Sequence, residues 1–251
     1  MKLTAPAPTL ADNILPAWNP DSKLARLAHD AVLVLAFTGL VIFCAQIIVR
    51  LPWTTVPITG QTFAVLVTGA ALGPWRGASS LTLYMLIGMV GAPVFAPLGL
   101  NLEGQTVHFL FPWAGTSDAL WEGSAIPLWD LSSGGYIVGF IGAAWLAGWL
   151  ARKGYDRGPW LLAGLLAANI VLYVPGLLWL AYQIGSEWVH PVYNQPLGDL
   201  ISGGTTLEKT LLGGLYPFIL GDMIKLYLAS LTLPAAWAFV KRRRDDGPPA
   251  D

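Results

Sequence analysis

Six stretches of the chain are long, apolar and almost free of charge. They cover residues 31–49, 61–73, 77–96, 135–151, 160–184 and 211–240. Most reach the roughly 20 residues that a helix needs to cross a bilayer. The second run is short, which predicts a tilted or partly re-entrant segment. The last run is long and contains Pro217 and Pro234, which predicts a bend or a helix that starts after Pro217. The pattern predicts an all-α integral membrane protein with six transmembrane helices in one bundle, spanning residues 31–240. Ahead of it, residues 1–30 carry four prolines and mixed charges without the apolar core of a signal peptide, and read as a retained, partly ordered cytoplasmic arm. Residues 241–251 form a basic and then acidic tail.

Composition supports a membrane solvent. Of 251 residues, 55% are hydrophobic and only 12% charged, and the mean hydropathy is +0.57. A soluble domain carries roughly 25% charged residues. The distribution of the basic residues sets an orientation. With both termini cytoplasmic, the inside holds Lys2, Lys23, Arg26, Arg76, Arg152, Lys153, Arg157, Lys241, Arg242, Arg243 and Arg244. The outside holds only Arg50 and Lys209, and Lys225 stays within the membrane. This asymmetry follows the positive-inside rule. The outer loop 97–134 contains Glu103, Asp118, Glu122 and Asp130 and no Lys or Arg.

Several functions are excluded or disfavoured. A net charge of -1 gives no basic excess for nucleic acid. A single cysteine, Cys44, rules out an intramolecular disulfide framework and a CxxC site. His29, His108 and His190 are too scattered to suggest a metal cluster. The chain has no Walker loop, HExxH, GxSxG or paired-Asp motif, and no room for a separate ATPase domain.

Two outer loops are long. Loop 97–134 places Trp113, Trp121 and Trp129 eight residues apart, and loop 185–210 contains Trp188 and Tyr193. They read either as an interfacial aromatic belt or as a lid over an outward-facing pocket. Small residues recur every fourth position at Gly135, Gly139, Ala143 and Ala147, and at Gly69, Gly73 and Gly77. Such stripes let helix backbones approach closely, within the bundle or against a partner subunit.

The most informative cluster is Gly221-Asp222-Met223-Ile224-Lys225. Asp222 and Lys225 are the only acid–base pair deep in an apolar run. Each costs roughly 2.5–3.5 kcal/mol at a helix centre. Spaced i and i+3, they share a helix face and can meet. An apolar pair would insert more easily, so pairing alone does not explain them. They read as a solute site with an acceptor carboxylate and a donor ammonium, or as a structural anchor. Gln46, Thr59, Gln61, Thr62, Tyr84, Asn101, Tyr136 and Asn169 are further buried polar candidates for that site. The segment Val56-Pro57-Ile58-Thr59-Gly60-Gln61-Thr62 suits a gating loop at the outer face, with Thr59 as the cap of the second helix.

These motifs together resemble the BioY biotin-transporter family. The resemblance rests on Val56–Thr62, on Leu72-Gly73-Pro74-Trp75-Arg76-Gly77, and on Tyr84-Met85-Leu86-Ile87-Gly88-Met89-Val90-Gly91-Ala92-Pro93-Val94-Phe95. It continues through Gly134-Gly135-Tyr136-Ile137-Val138-Gly139-Phe140 and ends with Pro217-Phe218-Ile219-Leu220-Gly221-Asp222-Met223-Ile224-Lys225. It implies a six-helix S component in the cytoplasmic membrane, the substrate-capturing subunit of an energy-coupling factor transporter. Such a subunit works with a transmembrane coupling protein and two cytoplasmic ATPases. It implies biotin as transported ligand, no cofactor, and Asp222 and Lys225 in the pocket. Asp222 would accept from a ureido N–H and Lys225 donate to the ureido oxygen, with Gln61, Tyr84, Tyr136, Asn169 and Asn101 as further binding candidates. Gly60 stands where Leu is common in the family, which implies a looser cap. On the first helix, Ala28 and Ala36 bracket Val32 in an imperfect version of the family's docking stripe. Three other readings stay open from the residues: an S component or solitary carrier for another vitamin, an intramembrane enzyme, and a structural scaffold.

Overall fold

The computed structural model of the chain describes residues 9–16, 22–49, 51–90, 92, 94–96, 107–108, 128, 131–191 and 193–245. Eight α-helices occur among the described residues: α1 (Leu10–Ile14), α2 (Lys23–Ala45), α3 (Gln61–Leu72), α4 (Pro74–Met89), α5 (Gly134–Arg152), α6 (Leu161–Gly185), α7 (Thr206–Gly214) and α8 (Tyr216–Asp245). Four stretches are long and apolar enough to cross a membrane: Lys23–Ala45, Gly134–Arg152, Leu161–Gly185 and Thr206–Asp245. The protein is a multi-pass membrane protein.

Of the remaining two apolar runs, the second is short, as expected, and the third differs from expectation. α3 has 12 residues and α4 has 16, and they meet at Gly73 with φ of 82°. A side chain is strained in that left-handed conformation. At about 1.5 Å per residue, α3 covers only about 18 Å. The expected run 77–96 is not one helix, because α4 begins earlier, on the helix-compatible Pro74, and stops at Met89.

The first helix also extends beyond its apolar run. Ser22 accepts a hydrogen bond from the Ala25 N–H at 3.3 Å and caps α2, so residues 23–30 belong to the helix and not to a separate arm. Upstream, α1 has a capping box: the Thr9 hydroxyl accepts from the Asp12 N–H, and the Asp12 carboxylate accepts from the Thr9 N–H. Leu10 packs into the core of α3, α5, α6 and α8, and Ala11 packs with Leu33 and Leu72. Arg76 bridges Asp12 and Asp30 at 2.6 Å each, tying α1 and α2 to α4. Burial raises the Asp12 carboxyl pKa, but hydrogen bonds from Thr9 and Arg76 outweigh it and hold the group below its usual value.

The chain is mostly helical and not all-α. The loop segments pair some of their own backbone groups as short antiparallel strands. β1 (Ile48–Val49) lies between β2 (Ile58–Thr59) and β3 (Val107–His108), and β4 (Val189–His190) pairs with β5 (Gln195–Pro196). Val107–His108, from the segment 97–134, thus join the sheet that carries Thr59. Trp113, Trp121 and Trp129 lie outside the described residues.

α5 is the centre of the bundle and packs against α3, α4 and α6. Its small residues make this possible. A Cβ on Gly139 would stand 2.5 Å from the Leu172 carbonyl oxygen, and one on Gly135 would meet the backbone of Pro175. On the other side, Gly69 lies against the Ala144 backbone. Ala143 and Ala147 are buried. The stripes serve packing within this chain.

The last apolar run is broken at Leu215, between α7 and α8. Pro217 falls in the first turn of α8, where its missing N–H costs little. Pro234 lies inside α8.

Candidate ligand site

A cleft of about 530 Å³, its open mouth included, lies between the 56–62 loop and helices α3, α5, α6 and α8. Its walls include Val56, Pro57, Ile137, Phe140, Leu172 and Phe218, which are apolar, and Thr59, Gln61, Thr62, Ser133, Tyr136, Tyr173, Asp222 and Lys225, which are polar. Ligand sites are mostly apolar clefts with a few placed polar groups, and this lining has that character.

Asp222 is only 4% exposed. Its Oδ1 accepts from Lys225 Nζ at 2.9 Å across one helical turn. Its Oδ2 accepts from the Tyr173 hydroxyl at 2.6 Å and from Asn169 Nδ2 at 3.1 Å. Three donors fix the orientation of this buried carboxylate. The two donors on Oδ2 come from α6, one turn apart. Tyr173 packs edge-on against Tyr136, with ring centres 5.8 Å apart.

On the opposite side, the Thr59 hydroxyl donates to Gln61 Oε1 at 2.9 Å, and Gln61 Nε2 donates to the Tyr84 hydroxyl at 2.7 Å. This pins the Gln61 amide. Thr59 is not the N-cap residue of α3, which is Gly60. Its hydroxyl still accepts from the Gln61 N–H at 3.3 Å, one residue out of the expected place. Nor is the loop loose at Gly60. The Gly60 N–H is shared between the carbonyls of Cys44 and Ile47 at 3.1 Å each. A Cβ there would stand 3.0 Å from the Cys44 carbonyl oxygen, so glycine permits close approach to the end of α2.

Six of the expected site residues line the cleft: Thr59, Gln61, Thr62, Tyr136, Asp222 and Lys225. Tyr84 and Asn169 sit behind it, holding Gln61 and Asp222. Gln46 is buried away from the lining and donates to the Phe95 carbonyl at 3.4 Å. Asn101 lies outside the described residues. Tyr173 was not among the expected residues. Its signal was faint: it stands four residues after Asn169 and so shares that helix face.

A sequence model of the BioY family matches residues 17–116 and 124–242. The chain belongs to the BioY family. Among its relatives, the "Probable biotin transporter BioY" of Pyrococcus horikoshii is 30% identical over 198 residues, covering 79% of this chain and 90% of that protein. The "Biotin transporter BioY" of Thermotoga maritima is 29% identical over 195 residues, covering 78% of this chain and 88% of that protein. Among solved structures, the fold resembles the S-component for biotin from an ECF-type ABC transporter, with a TM-score of 0.56 and 20% identity. That similarity covers 90% of this chain and 95% of the other. These BioY relatives are named as transporters and not as enzymes.

Proposed function

We propose that this BioY protein captures biotin at the outer face of the cytoplasmic membrane, as the S component of an energy-coupling factor transporter. The observation that carries this reading is buried Asp222 paired with partly buried Lys225, both facing a cleft with apolar walls and a few other polar groups. The ureido ring of biotin offers two N–H donors and one carbonyl acceptor. Asp222 accepts from one N–H, and Lys225 donates to the carbonyl. Gln61 and Tyr136 supply further polar contacts, and Tyr84 and Asn169 hold Gln61 and Asp222 in place. Ile137, Phe140, Leu172 and Phe218 surround the thiophane and tail. Charged partners make such hydrogen bonds roughly twice as strong as neutral ones.

The bundle crosses the bilayer six times, with α3 and α4 as the short second and third spans and both termini cytoplasmic. The basic residues at Arg152, Lys153 and 241–244 support that orientation. Uptake depends on a transmembrane coupling protein and two ATPases, because the chain carries no nucleotide-binding loop. Val32 and Ala36 are exposed on α2 and are available for docking. The test is equilibrium binding of a vitamin panel to purified protein. Biotin is expected to bind far more tightly than the other vitamins. Preference for another vitamin, or none, would overturn the assignment.

A further inference from the structure

An ionised carboxylate has four acceptor positions, two on each oxygen. At Asp222, Oδ2 already receives two donors, the Tyr173 hydroxyl and the Asn169 amide. Oδ1 receives one, the Lys225 ammonium. The Asn169 orientation follows from the chemistry, since only its NH₂ group can donate to a carboxylate. Among the described residues, one acceptor position therefore remains, on Oδ1, directly beside an ammonium with further N–H donors. Both Tyr173 and Asp222 line the cleft, whereas Asn169 lies behind.

We infer that Tyr173 is a specificity-determining positioning residue: by filling Oδ2 together with Asn169, it holds Oδ1, the oxygen beside Lys225, as the one that reads a ligand N–H. Resting on the biotin assignment above, this defines what the pair recognises. An acceptor next to a donor matches one edge of a cyclic amide, where an N–H and the adjacent C=O point the same way. The Asp222–Lys225 pair thus reads one edge of the ureido ring. The second ureido N–H lies on the far side of the carbonyl and is not read by Asp222. The hydroxyl of Tyr173 gives this edge its direction, because its 2.6 Å bond stops the carboxylate from turning Oδ2 toward the ligand.

The two mono-N-methyl isomers of biotin's ureido ring test this on the purified full chain. With wild-type protein, one isomer is expected to bind roughly a hundredfold more weakly than biotin, and the other within about tenfold. Equal losses for both isomers, large or small, would overturn the proposal without any variant. Tyr173→Phe then tests the positioning role. It is expected to weaken biotin roughly tenfold and to shrink the gap between the isomers severalfold, because the carboxylate can then turn out of its register with Lys225. A uniform loss for all three ligands with the gap unchanged would mean that Tyr173 only supports the fold, and would also overturn the proposal. Wild-type protein that binds no biotin would instead overturn the assignment on which this rests.

Discussion

The Tyr136 hydroxyl donates to the Gly214 carbonyl at 2.7 Å, joining α5 to the break between α7 and α8. The bond spans 78 residues of sequence and fixes where α8 begins. Asp222 and Lys225 follow within the first three turns of that helix. Tyr136 also faces the cleft, so one side chain both lines the site and places its charged pair.

Tyr136→Phe leaves the Gly214 carbonyl without its donor while keeping the ring. The expected loss of stability is about 1–3 kcal/mol, the cost of an unsatisfied buried polar group. Thermal unfolding in detergent, with and without biotin, measures it. Unchanged stability together with unchanged biotin affinity would contradict this role for the hydroxyl.

Tyr84 is fully buried and acts through Gln61. Tyr84→Phe removes the acceptor of the Gln61 amide and frees the side chain to rotate. Biotin binding is expected to weaken by about 0.5–1.5 kcal/mol, the net worth of one neutral hydrogen bond. Titration calorimetry on the folded variant decides, and an affinity equal to wild type would remove Gln61 from the site.

The charged pair and its neighbourhood were legible because ionisable residues in an apolar run stand out. The packing role of Gly135 and Gly139 was legible from their spacing. Tyr173 and the Tyr136–Gly214 bond were not. A tyrosine in an apolar helix has no periodic signature, and its partner lies on a distant segment. Helix ends were misplaced for a related reason. Capping by Ser22 and the turn at Gly73 decide where α2 and α4 begin, whereas the apolar pattern marks only the lipid-facing length.

The pair Asp12–Arg76 ties α1 to the bundle and sets a pH dependence. The Asp12 pKa is lowered by folding, so its contribution is present above the ordinary value of 3.8 and fades as pH falls through the lower folded value. At neutral pH, Asp12→Asn is expected to release α1. Hydrogen exchange of the Asn13 and Leu15 amides, corrected for intrinsic rates, should then quicken roughly tenfold or more. Equal protection in both proteins would show that the Asp12–Arg76 pair does not hold α1.

Topology is open to labelling. In a Cys44→Ala background, a membrane-impermeant thiol reagent added outside should modify Asp118→Cys and spare Tyr155→Cys. The reverse pattern would invert the proposed orientation.

The central claim is that Asp222 and Lys225 recognise biotin. The most direct measurement is biotin affinity of the purified wild type against Asp222→Asn and against the Asp222→Asn, Lys225→Met double variant. Asp222→Asn keeps an acceptor oxygen but loses its charge and leaves Lys225 unpaired. Binding is expected to weaken by about 1–3 kcal/mol, the range for a lost charge-assisted hydrogen bond. The double variant also loses the donor to the ureido oxygen and is expected to bind more weakly still. A folded double variant with wild-type biotin affinity would contradict the account and reduce the pair to an anchor for α8.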